Sequence, residues 1–261
     1  MKLTRQGAPS SRAGLYNGEI MNMPKVIRDD AFSHATKLAD GAFPLIIADP
    51  PYVDILPAKW DRTESQYDKL AIMIERLLPP GGTAYVWGGI GKPPKPGKKP
   101  NRVFFDWLSR VERGSKLRIH TLITWSKKRA YGKTDNYLFT REECAMLVKG
   151  NKPRTFNIPL LEVKRGYAGY LEKYPAKSEY LRRTNVWTDV TELFRGKIHP
   201  AEKPSRLAEI MIETSSRPGE RVLDPFAGSG STGVAAMKLG RPCVLIEKSD
   251  CVMHAFSARG A

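Results

Sequence analysis

The C-terminal stretch of this chain begins a sheet that it cannot finish. Residues 221–247 read in turn as a strand "RVLD", a loop "PFAGSGS", a helix "TGVAAMKLG" closed by Gly240, and a strand "CVLIE". Such a unit makes two parallel neighbours, and parallel sheets are stable only with both faces covered and several strands in register. Only fourteen residues follow Glu247, enough for one helix and no third strand. The missing strands must come from the front of the chain, where "KVIRDD" at 25–30 and "LIIAD" at 45–49 supply apolar runs ending in acids. The expected architecture is α/β: a doubly wound, circularly permuted sheet with strand 221–224 beside strand 45–48.

Periodicity supplies the other elements. A short strand ending in Asp29 and Asp30 is expected, followed by a helix through residue 39. Tyr67, Leu70, Ala71, Ile74, Leu77 and Leu78 recur at helical spacing until "PPGG" stops them before the strand "TAYVW". Val103, Phe104, Trp107, Leu108 and Val111 mark another helix, and residues 119–125 and 143–148 read as an antiparallel strand pair. "SRLAEIMIETSS" is a helix whose first turn begins at Pro204, where proline is tolerated. Residues 1–24 read as a flexible basic arm and 25–149 as one half of the domain. Residues 150–186 lack a clear period and form a separate segment, while 187–261 complete the same sheet.

Two loops at strand ends carry the chemistry. In "LIIADPPY" (45–52) a buried strand runs into Asp49, Pro50, Pro51 and Tyr52. Proline has a fixed φ and no N–H, so this corner is stiff and extended, a rigid mount for a carboxylate, a carbonyl and an aromatic face. In "LDPFAGSGSTG", Gly228 and Gly230 permit tight backbone where a strand turns into a helix, whose first N–H groups face a ligand. Glu247 ends the next strand about twenty residues on, where dinucleotide folds place a ribose-binding acid. Together they indicate a nucleoside-containing cofactor.

Composition narrows the partner. With 43 Lys and Arg against 27 Asp and Glu, the net charge of +16 calls for a polyanion, and nucleic acid is the commonest. Residues 150–185 interleave Tyr167, Tyr170, Tyr174 and Tyr180 with basic residues including Lys164 and Arg165, a pattern suited to phosphates and stacked bases. The basic loop 91–102 and "KKRAYGK", containing Lys127, Lys128 and Arg129, add to it. No run is apolar enough to span a membrane, and the N-terminus lacks the apolar core of a secretion signal, so a cytoplasmic protein is expected. Cys144, Cys243 and Cys251 have no C-x-x-C spacing and the four histidines are scattered, so neither disulfide nor metal is expected.

Three blocks in this order, "LIIADPPY" at 45–52, "HPAEKP" at 199–204 and "VLDPFAGSGSTGVAA" at 222–236, resemble the S-adenosylmethionine-dependent DNA amino-methyltransferases of the permuted beta group. The resemblance implies a Rossmann-like methyltransferase sheet and a methyl group passed to an exocyclic amino group in double-stranded DNA, with S-adenosylhomocysteine as product. It implies that Asp49 and the Pro50 carbonyl accept the amino hydrogens while Tyr52 stacks on a base lifted from the duplex. It places Asp224, Phe226, Ala227, Gly228, Ser229 and Gly230 around the cofactor, Glu247 on its ribose, and His199 and Lys203 beside its amino-acid part. Asp30 would contact its adenosine, with Asp29 as the alternative one residue away. Residues 150–186 would recognise the target sequence. Adenine N6 is favoured over cytosine N4, because Asp heads the tetrapeptide more usually in adenine enzymes. The resemblance also implies a prokaryotic or phage-encoded setting, and is compatible with a restriction endonuclease counterpart or none and with a monomer or a homodimer.

Rival readings have their own signatures. RNA and protein-glutamine methyltransferases with a related tetrapeptide usually carry Asn first and the glycine loop earlier. A nucleic-acid-binding module with a vestigial site would not need both loops intact. Pro242-Cys243 matches the dipeptide of cytosine-C5 enzymes, but it begins the strand leading to Glu247, so Cys243 is expected to pack in the sheet.

Overall fold

The computed structural model describes residues 13–16, 19–51, 66–89, 102–131, 137–164, 179–193 and 202–249. The first part of the chain supplies strands β1 (Ala13–Tyr16), β2 (Glu19–Asn22), β3 (Lys25–Arg28), β4 (Leu45–Ala48), β5 (Thr83–Gly88), β6 (Leu117–Tyr131) and β7 (Phe139–Lys149). The rest supplies β8 (Leu160–Lys164), β9 (Tyr180–Arg182), β10 (Val186–Trp187), β11 (Val222–Asp224) and β12 (Cys243–Glu247). Helices are α1 (Ala31–Ala35), α2 (Gln66–Leu77), α3 (Val103–Gly114), α4 (Ser205–Ser215) and α5 (Ser231–Lys238).

One eight-stranded sheet has the order β10-β6-β7-β5-β4-β11-β12-β3. The permutation is present: β11 pairs parallel with β4, Val222 opposite Leu45 and Leu223 opposite Ile46. β3, β12, β11, β4 and β5 all run parallel. β7 then pairs antiparallel with β5 and with β6, which is the expected antiparallel pair, longer at both ends than the apolar runs alone suggested.

The site is positioned by where the chain diverges. From β4 it passes through α2 to β5 on one side; from β11 it passes through α5 to β12 on the other. α2 and α3 cover one sheet face, packing Tyr67, Leu70, Ile74, Phe104 and Trp107 against Ile46, Ala48 and Val86. α4 and α5 cover the opposite face, packing Leu207, Met211, Ala235 and Ala236 against Leu45, Ile47, Tyr85 and Met146. Neighbouring strands whose helices leave to opposite faces open a crevice at their carboxyl ends, between β4 and β11. Every residue of β4 and β5 is buried, which is why these strands read as unbroken apolar runs rather than alternating ones. Full burial of one side chain such as Ile46 contributes about 1.5–3 kcal/mol. Gly88 closes β5 under the Phe104 ring, where an added Cβ would lie 2.1 Å from ring carbons.

Several boundaries differ from expectation. α1 ends at Ala35, not 39, because the chain tightens into turns: the N–H groups of Lys37 and Leu38 donate to the carbonyls of His34 and Ala35. α4 begins at Ser205, not Pro204: Pro204 is its N-cap, with an extended ψ of 135° that keeps it outside the helix. Residues 13–16 and 19–22, read as part of a flexible arm, form the antiparallel strand pair β1–β2. The aperiodic segment holds a second antiparallel pair, β8–β9, and the edge strand β10. These strands are two to five residues long, too short for period two to stand out.

Candidate active site at the carboxyl edge of the sheet

Because β3, β12, β11 and β4 are parallel neighbours, their carboxyl ends line up, and each delivers an acid to the same edge: Asp29 and Asp30, then Glu247, Asp224 and Asp49. The glycine loop is tied to this row through its main-chain N–H groups. The Phe226 N–H donates to Asp224 Oδ1 at 3.0 Å, the Ala227 N–H to the Ile246 carbonyl at 3.0 Å, and the Gly228 N–H to Glu247 Oε2 at 2.9 Å. Gly228 (φ 51°) and Gly230 (φ 76°) take left-handed backbone, and Gly230 occupies the cap of α5. Ala227 and Ser229 are buried beneath the loop. Glu247 Oε1 accepts from the Ser249 N–H at 2.9 Å and its hydroxyl at 2.8 Å, so one carboxylate ties the glycine loop to the next turn.

Asp224 is 4 % exposed. Burial pushes its carboxyl up to about 7; hydrogen bonds from Thr232 and the Phe226 N–H restrain the rise, and the charges of Asp49 and Glu247 add to it. At the far end of the row, Asp30 caps α1 by accepting from the N–H groups of Phe32 and Ser33, both at 3.1 Å. Asp29 is engaged by His34 at 3.0 Å and Lys37 at 3.1 Å, and these hydrogen bonds hold it down at about 2. The rings of Phe32 and Phe226 meet edge to face, centroids 5.9 Å apart, forming an apolar wall between the two acids and the loop.

Asp49 belongs to a different construction. Leu45 and Ile47 face the α4–α5 side, and strand alternation carries Asp49 onto that side too. There it pairs with Lys203, which lies just before α4. Lys203 Nζ is also 3.2 Å from Glu142 Oε2 on β7 and 5.0 Å from the centre of the Trp87 ring. Glu142 pairs in turn with Lys127 of β6, whose Nζ is 5.3 Å from the Trp125 ring. Sheet register explains the gathering: Glu142 lies opposite Trp125, and Trp87 opposite Cys144. Lys203 has a side chain only 11 % exposed. Burial opposes its charge, yet the Asp49 and Glu142 carboxylates outweigh that, and its pKa is raised. Burial likewise works against Glu142, but the two ammonium groups bring it down to about 2.

Asp49, Pro50, Pro51, Lys203 and the glycine loop are thus grouped around one crevice, whereas Tyr52 and His199 lie outside the described residues. Of the residues assigned to nucleic acid, Lys127 is drawn into the charge chain beside Asp49. The backbone N–H groups of Lys128 and Arg129 donate to Glu192 at 2.8 and 2.6 Å. Lys164, on the exposed β8, pairs with Glu179 at 2.6 Å. Arg165, Tyr167 and Tyr170 lie outside the described residues, as does Cys251. Cys243 is buried in β12 and burial pushes its thiol well up, as packing in the sheet requires. Sequence reasoning missed Glu142, Trp87 and Trp125. The signal for Glu142 was the alternation in "TREECAM", which puts a carboxylate on the same inner face as Cys144 and Met146.

The crevice offers acceptors for a cation: buried and half-buried carboxylates along one wall, and a rigid carboxylate–carbonyl pair at the mouth. Comparison with known proteins agrees with this chemistry. Residues 43–256 match the family model described as DNA methylase. The chain is 25 % identical over 264 residues to the type II methyltransferase M2.DpnII of Streptococcus pneumoniae, covering 89 % of this chain and 90 % of that one. Among solved structures, PvuII DNA methyltransferase (cytosine-N4-specific) superposes with a TM-score of 0.72 at 16 % identity, covering 92 % of this chain and 87 % of that one. The M1.HpyAVI–SAM complex superposes with a TM-score of 0.60 at 22 % identity, covering 91 % of this chain and all of the other.

Proposed function

The chain belongs to the DNA methylase family of S-adenosylmethionine-dependent amino-methyltransferases, and from that premise we propose that it methylates the N6 amino group of adenine in double-stranded DNA at a specific sequence. The observation that carries the reading is the adjacency of β4 and β11, which brings "DPP" and the glycine loop to the two lips of one crevice.

The donor set fits the cofactor. S-adenosylmethionine supplies an electrophilic methyl on a sulfonium, and it carries an ammonium as well. Asp224 and the left-handed glycine backbone suit its amino-acid part, and Glu247 suits paired ribose hydroxyls. The Phe32–Phe226 wall and Asp30 suit a purine with a hydrogen-bonding edge.

The amino group of a nucleobase is a poor nucleophile because its lone pair is delocalised into the ring. Two acceptors aimed at its two N–H bonds draw the nitrogen towards a tetrahedral geometry and localise that pair. Asp49 and the Pro50 carbonyl have this role, and consecutive prolines keep them from drifting. The Asp49 carboxylate also takes up the proton that the methylated nitrogen sheds. Tyr52 gives the extruded base a face to stack on. Holding nucleophile and methyl in line removes much of the entropic cost. The surplus of positive charge supports attraction to a duplex, with residues 150–186 as the element that reads sequence and a restriction endonuclease as counterpart.

Adenine and cytosine both present an amino group beside a ring nitrogen, so the acceptor pair alone serves either; Asp at position 49 favours adenine. The test is to incubate protein, duplex DNA and S-adenosylmethionine, digest to nucleosides and identify the product by mass spectrometry. N6-methyladenine is expected. N4-methylcytosine would reassign the base, and unmodified DNA from many sequences would remove the activity.

A further inference from the structure

Asp49 heads a line of alternating charge, Asp49–Lys203–Glu142–Lys127, with Trp87 beside one lysine and Trp125 beside the other. The two indoles meet at 6.2 Å, and the Trp125 N–H donates to the Val190 carbonyl at 2.7 Å, which fixes the floor on which both ammonium groups rest. Resting on the reading of Asp49 as the acceptor of the target amino group, we propose that Glu142 is a positioning residue for methyl transfer: it holds the Lys203 ammonium, which in turn fixes the Asp49 carboxylate, with Lys127 anchoring the outer end.

The physical case has three parts. A carboxylate rotates freely about its last bond unless something grips one oxygen; the Lys203 ammonium grips Asp49 Oδ2 and so sets the direction in which its acceptor orbitals point. A lysine on a flexible four-carbon stem is itself a poor anchor unless a second partner pins it, and Glu142 does so from the neighbouring strand. Finally, Asp49 with Lys203 alone is neutral, whereas with Glu142 added the trio carries one negative charge. The reacting nitrogen becomes more positive as the new bond forms, and it then meets an Asp49 carboxylate whose charge Lys203, shared with Glu142, cancels only in part. Lys127 neutralises the far end of the line, where it stabilises Glu142 more than it opposes the nitrogen. Stability alone does not account for the arrangement, because a buried ion-pair chain contributes little more than apolar residues of the same volume. Its placement against Asp49 does.

The experiment compares Glu142→Gln, Glu142→Asp, Lys203→Met and the Glu142→Gln/Lys203→Met double variant with the wild type. It reads kcat and KM for duplex DNA, S-adenosylhomocysteine affinity by calorimetry, and the lysine ammonium resonances by nitrogen-15 NMR. In Glu142→Gln, kcat should fall about 100-fold, the scale of a small misplacement of a reacting group, with KM and cofactor affinity unchanged. Glu142→Asp, which keeps the charge, should recover most of that loss. The double variant should lose no more than the worse single one, because both act through one link. In the wild type a slowly exchanging ammonium signal, absent in Lys203→Met, should shift on both Asp49→Asn and Glu142→Gln. A folded Glu142→Gln variant with undiminished kcat, or losses that multiply in the double variant, would overturn the proposal. So would a Lys203 signal indifferent to Asp49→Asn, a measurement that does not require Glu142→Gln to fold. Failure of the wild type to methylate DNA would instead refute the function proposed above, and the ammonium signals do not depend on that activity, so the two failures are distinguishable.

Discussion

The two lips of the crevice are made by different means. The glycine-loop lip comes from one contiguous stretch, residues 222–249, and its shape is set by bonds from the main-chain N–H groups of Phe226, Ala227, Gly228 and Ser249 to the Asp224 and Glu247 carboxylates and the Ile246 carbonyl of the same stretch. The Asp49 lip is assembled from β4, β6, β7 and the residues before α4, and side-chain ion pairs hold it together. A site whose backbone is held by acceptors in its own stretch is stiff whatever the rest of the fold does, and it suits a ligand that is always the same. A side-chain-built site depends on every contributor, and it suits an acceptor whose direction and charge must be tuned to the reaction. Mutations should therefore act locally and on cofactor affinity at the first lip, and at a distance and on turnover at the second.

The sharpest way to break this division is Asp49→Ala. It should lower kcat by about 10³-fold, the scale for removing one preorganised polar partner, and leave S-adenosylhomocysteine affinity unchanged by calorimetry. An equal loss in both would show that the lips are one unit. Glu247→Ala should do the reverse. Losing hydrogen bonds to a charged acceptor should weaken cofactor binding roughly 10–100-fold while kcat at saturating cofactor stays the same.

Acidity separates the lips next. With its carboxyl near pH 7, Asp224 must lose a proton before it can pair with the cofactor's ammonium. Cofactor affinity should therefore fall as pH drops below about 7, by at most about tenfold per unit, and Asp224→Asn should abolish the dependence. The effect on folding has the opposite sense. The folded-state pKa lies above the unfolded value of 3.8, so the folded protein holds the extra proton and this group's contribution to stability declines as pH rises from about 4 to about 7. Melting midpoints and binding isotherms across that range test both signs; affinity that rises towards acid would remove Asp224 from the cofactor's amino group.

The smallest effect sharpens the claim that the first lip is backbone-built. Gly230→Ala puts a Cβ on left-handed backbone at φ 76°, costing roughly 1–2 kcal/mol, which for a domain of this size lowers the melting midpoint by several degrees. The same substitution should loosen cofactor binding while leaving the Lys203 ammonium signal where it was. Movement of that signal would mean that strain in the loop reaches across the crevice.

What the sequence by itself determined was everything that local pattern and order dictate. The apolar runs of β4, β5, β11 and β12, the "DPP" corner and the glycine loop pointed to the β4–β11 pairing, because parallel strands need covered faces and neighbours. Short pieces escaped: β1, β2, β8 and β9 are only three to five residues long, and β8 and β9 lie mostly exposed, so no apolar period marks them. Tertiary structure alone decided who stands beside Asp49. Lys203 was assigned in the sequence to the cofactor's side and not to Asp49 as its partner, and Lys127 read as a phosphate-binding lysine because it sits in a basic run. A charge has no periodicity to betray its partner. Its meaning comes from distance and burial, and only the register of β6 on β7 and of β7 on β5, which turns Glu142 inward between two lysines and two tryptophans, supplies those.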